Sequence, residues 1–194
     1  MGKGRLEAFS DGVLAIIITI MVLELKVPHG TDLDALRPLA PVAVSYLISF
    51  VFVGIYWNNH HHLIHLVRKV DARIMWLNLH LLFWLSLMPV TAGWIGEHHE
   101  SAVPNALYGV VLLGGALAWL LLQTAIVRTQ ADHAELAREL GSDWKGKVSP
   151  VLYISGIGLA FVSSWLSQAC YVTVAILWFV PDRRLERAAR SAAD

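Results

Sequence analysis

Charged residues punctuate this chain at wide intervals, and long apolar stretches lie between them. One runs from Asp11 to Glu24 and is extended by Leu25 and Val27; four more cover 38–67, 74–96, 101–127 and 148–181. A hydrocarbon slab about 30 Å thick takes roughly 20 apolar residues in helical form, so the first four are of spanning size. The fifth would make a helix of about 51 Å, too long for one pass without steep tilt. It divides into two short helices turning near 163–168. Charge asymmetry supports the division, because Lys and Arg collect on the cytoplasmic side of membrane helices. Six passes put Lys3, Arg5, Arg68, Lys69, Arg73, Arg128, Arg138, Lys145, Lys147, Arg183, Arg184, Arg187 and Arg190 inside and leave only Lys26 and Arg37 outside. The pattern thus predicts an all-α membrane protein of six transmembrane helices, over 6–27, 39–64, 72–95, 103–127, 148–164 and 167–181, with both termini cytoplasmic. The connection 128–147 alternates charge (Asp132, Glu135, Arg138, Glu139) and predicts a cytoplasmic helical extension. The first span follows Met1 directly, holds Asp11 and shows no small-residue cleavage site, so it reads as a retained helix and not a signal peptide.

Composition sharpens this. The chain is 56% hydrophobic and only 15% charged, with a mean hydropathy of +0.56, where soluble domains carry about 25% charged residues. A formal net charge of zero gives no general attraction to phosphate and argues against nucleic-acid binding. The single Cys170 excludes an intrachain disulfide framework and any thiolate metal cluster. Eight tryptophans suit membrane interfaces. The chain carries no Gly-x-Ser-x-Gly elbow, no His-Glu-x-x-His helix and no glycine-rich phosphate loop, so no enzyme is expected. The Thr-Val-Gly-Tyr-Gly filter of carbonyl-lined potassium pores is also missing.

Two constellations carry candidate chemistry. On the first helix, Arg5, Phe9, Gly12, Ile16, Thr19 and Leu23 fall within about 60° of one stripe at 100° per residue. Asp11 stands about 140° from Ile16, on a different face. An ionisable group inside a membrane helix is costly and faces protein or water. Spacing alone favours ordinary helix packing for the stripe, and it fits Thr19 to a bond with its own backbone. The second constellation is Asn58, Asn59, His60, His61, His62 and His65 at the cytoplasmic end of the second helix, with Trp57 before it and Trp76, Asn78 and His80 opening the third. His61 and His65 have a spacing that can ligate a metal, but no carboxylate or cysteine lies close in sequence to complete a tetrahedral set. No metal site and no cofactor is assigned. The groups are better used to satisfy Asp11, Ser10 and the backbone in a low-dielectric setting, with His60, His61, Asn78 and His80 as partners. His98 and His99, beside Glu97 and Glu100, read as a solvated outer loop.

The motif Arg5-x-x-x-Phe9-Ser10-Asp11, at the cytoplasmic start of the first membrane helix and followed by an Ile/Thr/Leu-rich span, resembles the signature of the transmembrane protein 175 family. These are endosomal and lysosomal potassium channels and their prokaryotic relatives. The six-span layout and the Asn/His/Trp cluster resemble the family as well. With one six-helix unit, the sequence is similar to the prokaryotic single-repeat form, which implies a homotetramer with the first helix lining a central pore. The resemblance further implies a constriction at Ile16, five positions after the signature aspartate, followed by Thr19 and Leu23. Arg5, Phe9, Ser10 and Asp11 then belong to a helix-packing network with His60, His61, Asn78 and His80. On this reading residues 1–181 are a six-helix transmembrane channel domain and 182–194 a cytoplasmic basic tail. The expected activity is modestly potassium-selective cation permeation through a hydrophobic constriction without a carbonyl filter. The permeant ion is K+, the other partner is the lipid bilayer, and the place is the cell (inner) membrane of a prokaryote. The alternative is a proton-coupled secondary transporter using Asp11 and the histidine cluster. Against it, no internal repeat is visible, and Pro89 is the only proline well inside a predicted helix.

Overall fold

A computed structural model describes residues 2–129 and 143–179. The middle of the charged connection and the basic tail at 182–194 lie outside these residues. Within them the chain is all-helical: α1 (Lys3–Leu23), a 3-10 turn (Leu33–Leu39), α2 (Ala40–His65), α3 (Ala72–Ser86), α4 (Met88–Glu97), α5 (Ala102–Thr129), α6 (Trp144–Leu159) and α7 (Ser164–Phe179). Local chemistry sets many of the boundaries. Asp71 starts α3 by accepting from the Ile74 backbone N–H at 2.7 Å. Asp143 does the same for α6 through Gly146 at 2.9 Å, and Asp32 caps the 3-10 turn. In each case the carboxylate satisfies a backbone donor that the first helical turn leaves open.

Four apolar rods are long enough to cross a membrane: Lys3–Leu23, Leu33–His65, Ala72–Glu97 and Ala102–Thr129. The last two helices are 16 residues each. Two details differ from the expected pattern. The single helix expected over 72–95 is broken at Leu87 into α3 and α4, because Pro89 lacks an N–H and its ring crowds the carbonyl four residues back. The final hairpin turns at 160–163, earlier than 163–168, and α6 begins before 148, so that Pro150 falls inside it. No charge or proline marks that turn within the apolar run, which is why composition alone misplaces it.

Successive rods run antiparallel, with α3 and α4 together making one of them, as the contacts at their ends show. At one end the Lys3 ammonium donates to the His65 carbonyl, and Lys145 lies over the Trp178 ring. At the other end Lys26 pairs with Glu97, Gln168 donates to the His99 carbonyl, and Ser164 donates to that of Glu100. The bond to Glu97, and the charge of that carboxylate, push the Lys26 pKa above its ordinary value. Eight of the ten described lysines and arginines belong to the first end.

α5 is the central helix. In its most apolar window 56% of the residues are buried, against 28% for α1. Between apolar helices in lipid the hydrophobic effect contributes little, so close backbone approach and interhelical hydrogen bonds hold the bundle. Glycines on α5 allow that approach. The Trp84 ring from α3 seats on Gly114, and the Tyr171 hydroxyl from α7 seats on Gly109. The hydroxyl then donates to the Asn105 carbonyl at 3.0 Å. Ser49 and Tyr108 bond across α2 and α5 at 2.9 Å. Ser45 donates to the Ala92 carbonyl at 2.6 Å, joining α2 to α4. The outer surface keeps many large apolar side chains exposed, among them Val44, Leu47, Phe50, Val151, Ile154 and Ile176, as a lipid-facing surface requires.

The seating at Gly114 yields a direct expectation. Gly114→Ala drives a methyl group into the Trp84 ring, and overpacking of this kind costs about 1–3 kcal/mol. The melting temperature of the detergent-solubilised protein therefore falls by several degrees. Gly158→Ala, where an added Cβ meets nothing within 4 Å, leaves it unchanged or raised.

Candidate functional site

The packing face of α1 is made by Leu6, Ser10, Leu14, Ile17 and Met21, all buried, at the spacing of a single helical stripe. It lies against α2, α3 and α4. Four of the five are apolar; Ser10 is the exception and anchors a short polar chain. Its hydroxyl donates to the Leu6 carbonyl at 2.9 Å and accepts from the Asn78 amide of α3 at 2.9 Å. The Asn78 carbonyl oxygen in turn accepts from His60 Nε2 of α2 at 2.7 Å. All three side chains are 0–1% exposed. A carbonyl oxygen only accepts, so the His60 proton sits on Nε2, and the buried Nδ1 has no partner among the described residues. The neighbouring Asn59 donates to its own helix at Ile55.

The remaining polar groups of α1 engage different partners. Asp11 accepts from the Trp57 indole N–H at 3.1 Å. Glu7 Oε1 lies 2.9 Å from His61 Nδ1 and 3.9 Å from His65 Nε2. The two imidazoles meet edge to face with centroids 4.5 Å apart. These three residues are a group whose donor atoms could together hold a metal ion. His80 is taken by its own helix, accepting from the Trp84 indole at 3.0 Å. Arg5 is exposed, and Glu7 and Asp11, the carboxylates nearest it in sequence, are bonded to α2 instead. Of the expected network, then, Ser10, His60 and Asn78 meet in one chain, while Asp11, His61 and His80 each engage separate partners. The pairings of Glu7 with His61 and of Trp57 with Asp11 are what sequence reasoning passed over. The hint for Glu7 was its place one turn before Asp11, which puts both carboxylates on one side of the helix.

The other face of α1 is unpartnered among the described residues. Arg5, Phe9, Gly12, Ile16, Thr19 and Leu23 are all exposed, Ile16 at 57% and Leu23 at 79%. Their alternating steps of four and three are those of a heptad seam, with Phe9, Ile16 and Leu23 in one set of positions and Arg5, Gly12 and Thr19 in the other. Small Ala8 and Ala15 flank the seam and are exposed too. Thr19 donates to the Ile16 carbonyl at 2.9 Å, which commits its proton to the backbone and leaves its oxygen lone pairs free to face outward.

Comparisons with known proteins agree with this layout. Residues 5–89, which hold the whole Ser10–Asn78–His60 chain and the exposed seam, match the family model described as endosomal/lysosomal potassium channel TMEM175. A potassium channel of Chryseobacterium sp. (strain P1-3) is 49% identical over 96% of this chain and 97% of its own length. The human endosomal/lysosomal proton channel TMEM175 is 34% identical over 87% of this chain, which spans 36% of that protein. Among solved structures, the crystal structure of a lysosomal potassium-selective channel TMEM175 homolog from Chamaesiphon minutus superposes with a TM-score of 0.77 at 29% identity. That match covers 91% of this chain and 95% of that one. The chain belongs to the TMEM175 family of ion channels.

Proposed function

We propose that this chain is a potassium channel in which four copies surround a central pore lined by α1, with Ile16 as the constriction. The observation that carries the reading is the exposed seam. Every one of its six positions is left uncovered by the described helices, although the opposite face of the same helix is packed against α2, α3 and α4. A heptad stripe stays aligned along a shared axis, as the a and d positions of a helical bundle do, and the small residues Ala8 and Ala15 let neighbouring copies approach.

Four Ile16 side chains around an axis make an apolar collar, which stops ions by dewetting when narrow and passes partly dehydrated cations when wider. Potassium holds its water less tightly than sodium, so a collar that demands partial dehydration favours potassium. The outward-facing Thr19 oxygens replace part of the lost shell, and Leu23 closes the next layer toward the outer mouth. Four hydroxyls coordinate far less than stacked carbonyl rings, so the selectivity is modest. The outer end adds attraction: Glu24, Asp32, Asp34, Glu97 and Glu100 face only Lys26 and Arg37, a net −3 per copy that gathers cations at the mouth. The basic end, with both termini, lies in the cytoplasm of a prokaryote, and the protein sits in the cell (inner) membrane. Ser10, Asn78 and His60 act as scaffold by fixing α1 on α2 and α3, with Asp11 bonded to Trp57 of α2; Phe9, expected in this network, lies on the exposed seam instead.

The decisive experiment is gradient-driven K+ uptake into liposomes, with Na+ substituted in parallel. Wild type is expected to pass K+ better than Na+, and Ile16→Asn to pass both at higher rates with the preference reduced. Uptake that occurs only with an imposed proton gradient would instead favour a proton-coupled carrier centred on Asp11. Thr19→Val, which removes the oxygen while keeping the shape, is expected to lower the K+/Na+ ratio severalfold at similar protein yield; an unchanged ratio removes Thr19 from the selective layer. Asn78→Ala leaves the buried His60 Nε2–H without its acceptor and removes the donor to the Ser10 oxygen, a cost of about 1–3 kcal/mol. It should reduce the yield of assembled protein on gel filtration while the surviving channels keep the wild-type K+/Na+ ratio.

A further inference from the structure

We propose that Glu7, His61 and His65 form a binding site for a divalent transition-metal ion of the zinc class, tying the first turns of α1 to the last turn of α2. Neither the pore reading nor the scaffold network uses this cluster, and it is built from two different helices.

Position on α2 explains half of the set. His61 and His65 are one turn apart, which points both imidazoles to one face. α1 lays Glu7 against that face and supplies the carboxylate that the sequence around the histidines lacks. The three donor atoms, Glu7 Oε1, His61 Nδ1 and His65 Nε2, all lie within 4.8 Å of one another. A tetrahedral ion with bonds near 2.1 Å holds its ligand atoms about 3.4 Å apart. The observed separations of 2.9 Å and 3.9 Å from the shared carboxylate oxygen bracket that value. The longer one is outside hydrogen-bond reach, so the carboxylate alone does not satisfy both rings. An ion placed between the three donors would.

The chemistry of the set selects the ion. Two imidazole nitrogens and one carboxylate oxygen suit Zn2+, Co2+ or Ni2+, whereas Ca2+ and Mg2+ require oxygen ligands almost exclusively. The side chains of His61 and His65 are 45% and 47% exposed and that of Glu7 is 23% exposed, so the ion can enter from solvent and keep water in its fourth position. Lys3 is bonded to the His65 backbone carbonyl; the Glu7 carboxylate offsets part of its repulsion toward a metal. An ion held here would also restrain the helix read above as pore-lining. That last consequence rests on the pore reading, and the binding itself does not.

The test is a Co2+ titration of the purified full-length protein in detergent at neutral pH, followed by Zn2+ displacement. A visible absorption band of tetrahedral Co2+ is expected at one ion per chain, and Zn2+ should abolish it. Glu7→Gln and His65→Ala should each weaken Co2+ binding about tenfold or more, and Zn2+ should raise the melting temperature of wild type but of neither variant. Glu7→Gln keeps a side-chain oxygen for the His61 contact and His65 is 47% exposed, so the variants should elute like wild type, and the Zn2+-dependent change is read against each variant's own metal-free melting temperature. His98→Ala/His99→Ala, at the opposite end, should bind Co2+ as wild type does. The proposal is overturned if no tetrahedral band forms, if Glu7→Gln binds as tightly as wild type, or if the His98/His99 variant is the one that loses the signal. None of these readouts requires ion flux, so a failed channel assay and a failed metal site are separate results.

Discussion

A polar side chain buried in an apolar slab must find a partner inside the protein, and the chain from Ser10 through Asn78 to His60 is where this fold meets that demand. An unpaired polar group there costs several kcal/mol, so once Ser10 sits on the packing face of α1 the positions of α2 and α3 are constrained to tenths of an ångström. Asn78 is well chosen as the middle member. Its amide donates to the Ser10 oxygen while its carbonyl accepts from His60, so one side chain bridges two helices in a fixed orientation. A threonine or serine at that place could not reach both. The chain links residues 68 apart in sequence, and three helices are registered by three side chains.

This constraint divides α1 into faces with different duties. Ser10 and Ile16 are separated by about 120° around the helix, so the residue that fixes the helix and the residue proposed to meet the ion do not compete for space. The polar groups to the side, Glu7 and Asp11, are occupied by His61 and Trp57 of α2 and add a second line of attachment along the same helix pair. What remains uncovered is the seam. In a water-soluble protein such a stripe would signal aggregation; in a membrane it faces either lipid or further copies of the chain. The presence of Gly12 on the seam, flanked by Ala8 and Ala15, favours further copies, since small residues let neighbouring helices approach closely.

Much of this was legible in the sequence, because helical periodicity and the placement of charges are one-dimensional signals. The seam on α1 emerges from 100° spacing alone, and the antiparallel order of passes from the lysine and arginine distribution. The motif at 5–11 pointed to the family. Contacts between helices were not legible in the same way. Glu7 lies far from His61 in sequence, and no local rule pairs them; likewise an indole N–H on Trp57 is an unobvious partner for Asp11 until α1 and α2 are laid together. His80 has the right chemistry for the buried network and sits two residues from Asn78, but a two-residue step on a helix rotates it about 200° away, and Trp84 on its own helix claims it. The break at Leu87 follows from Pro89, yet only packing decides whether a proline bends a helix or ends it. The turn at 160–163 has no such marker at all.

The glycines of α5 extend the same argument from site to scaffold. Where lipid removes most of the hydrophobic drive for helix association, stability comes from how closely surfaces fit. α5 achieves that fit by presenting glycine under the Trp84 ring and the Tyr171 hydroxyl. Trp84 also donates to His80, so the same indole that packs on α5 satisfies a histidine nitrogen of α3. Tyr171 likewise packs on one residue of α5 and donates to the carbonyl of another. The seam of α1 is therefore held by helices that are themselves positioned through paired steric and polar contacts. A change that loosens α5 reaches α1 through α2, α3 and α4, because each of them contacts α1 and each is joined to α5, α2 through the Ser49–Tyr108 bond.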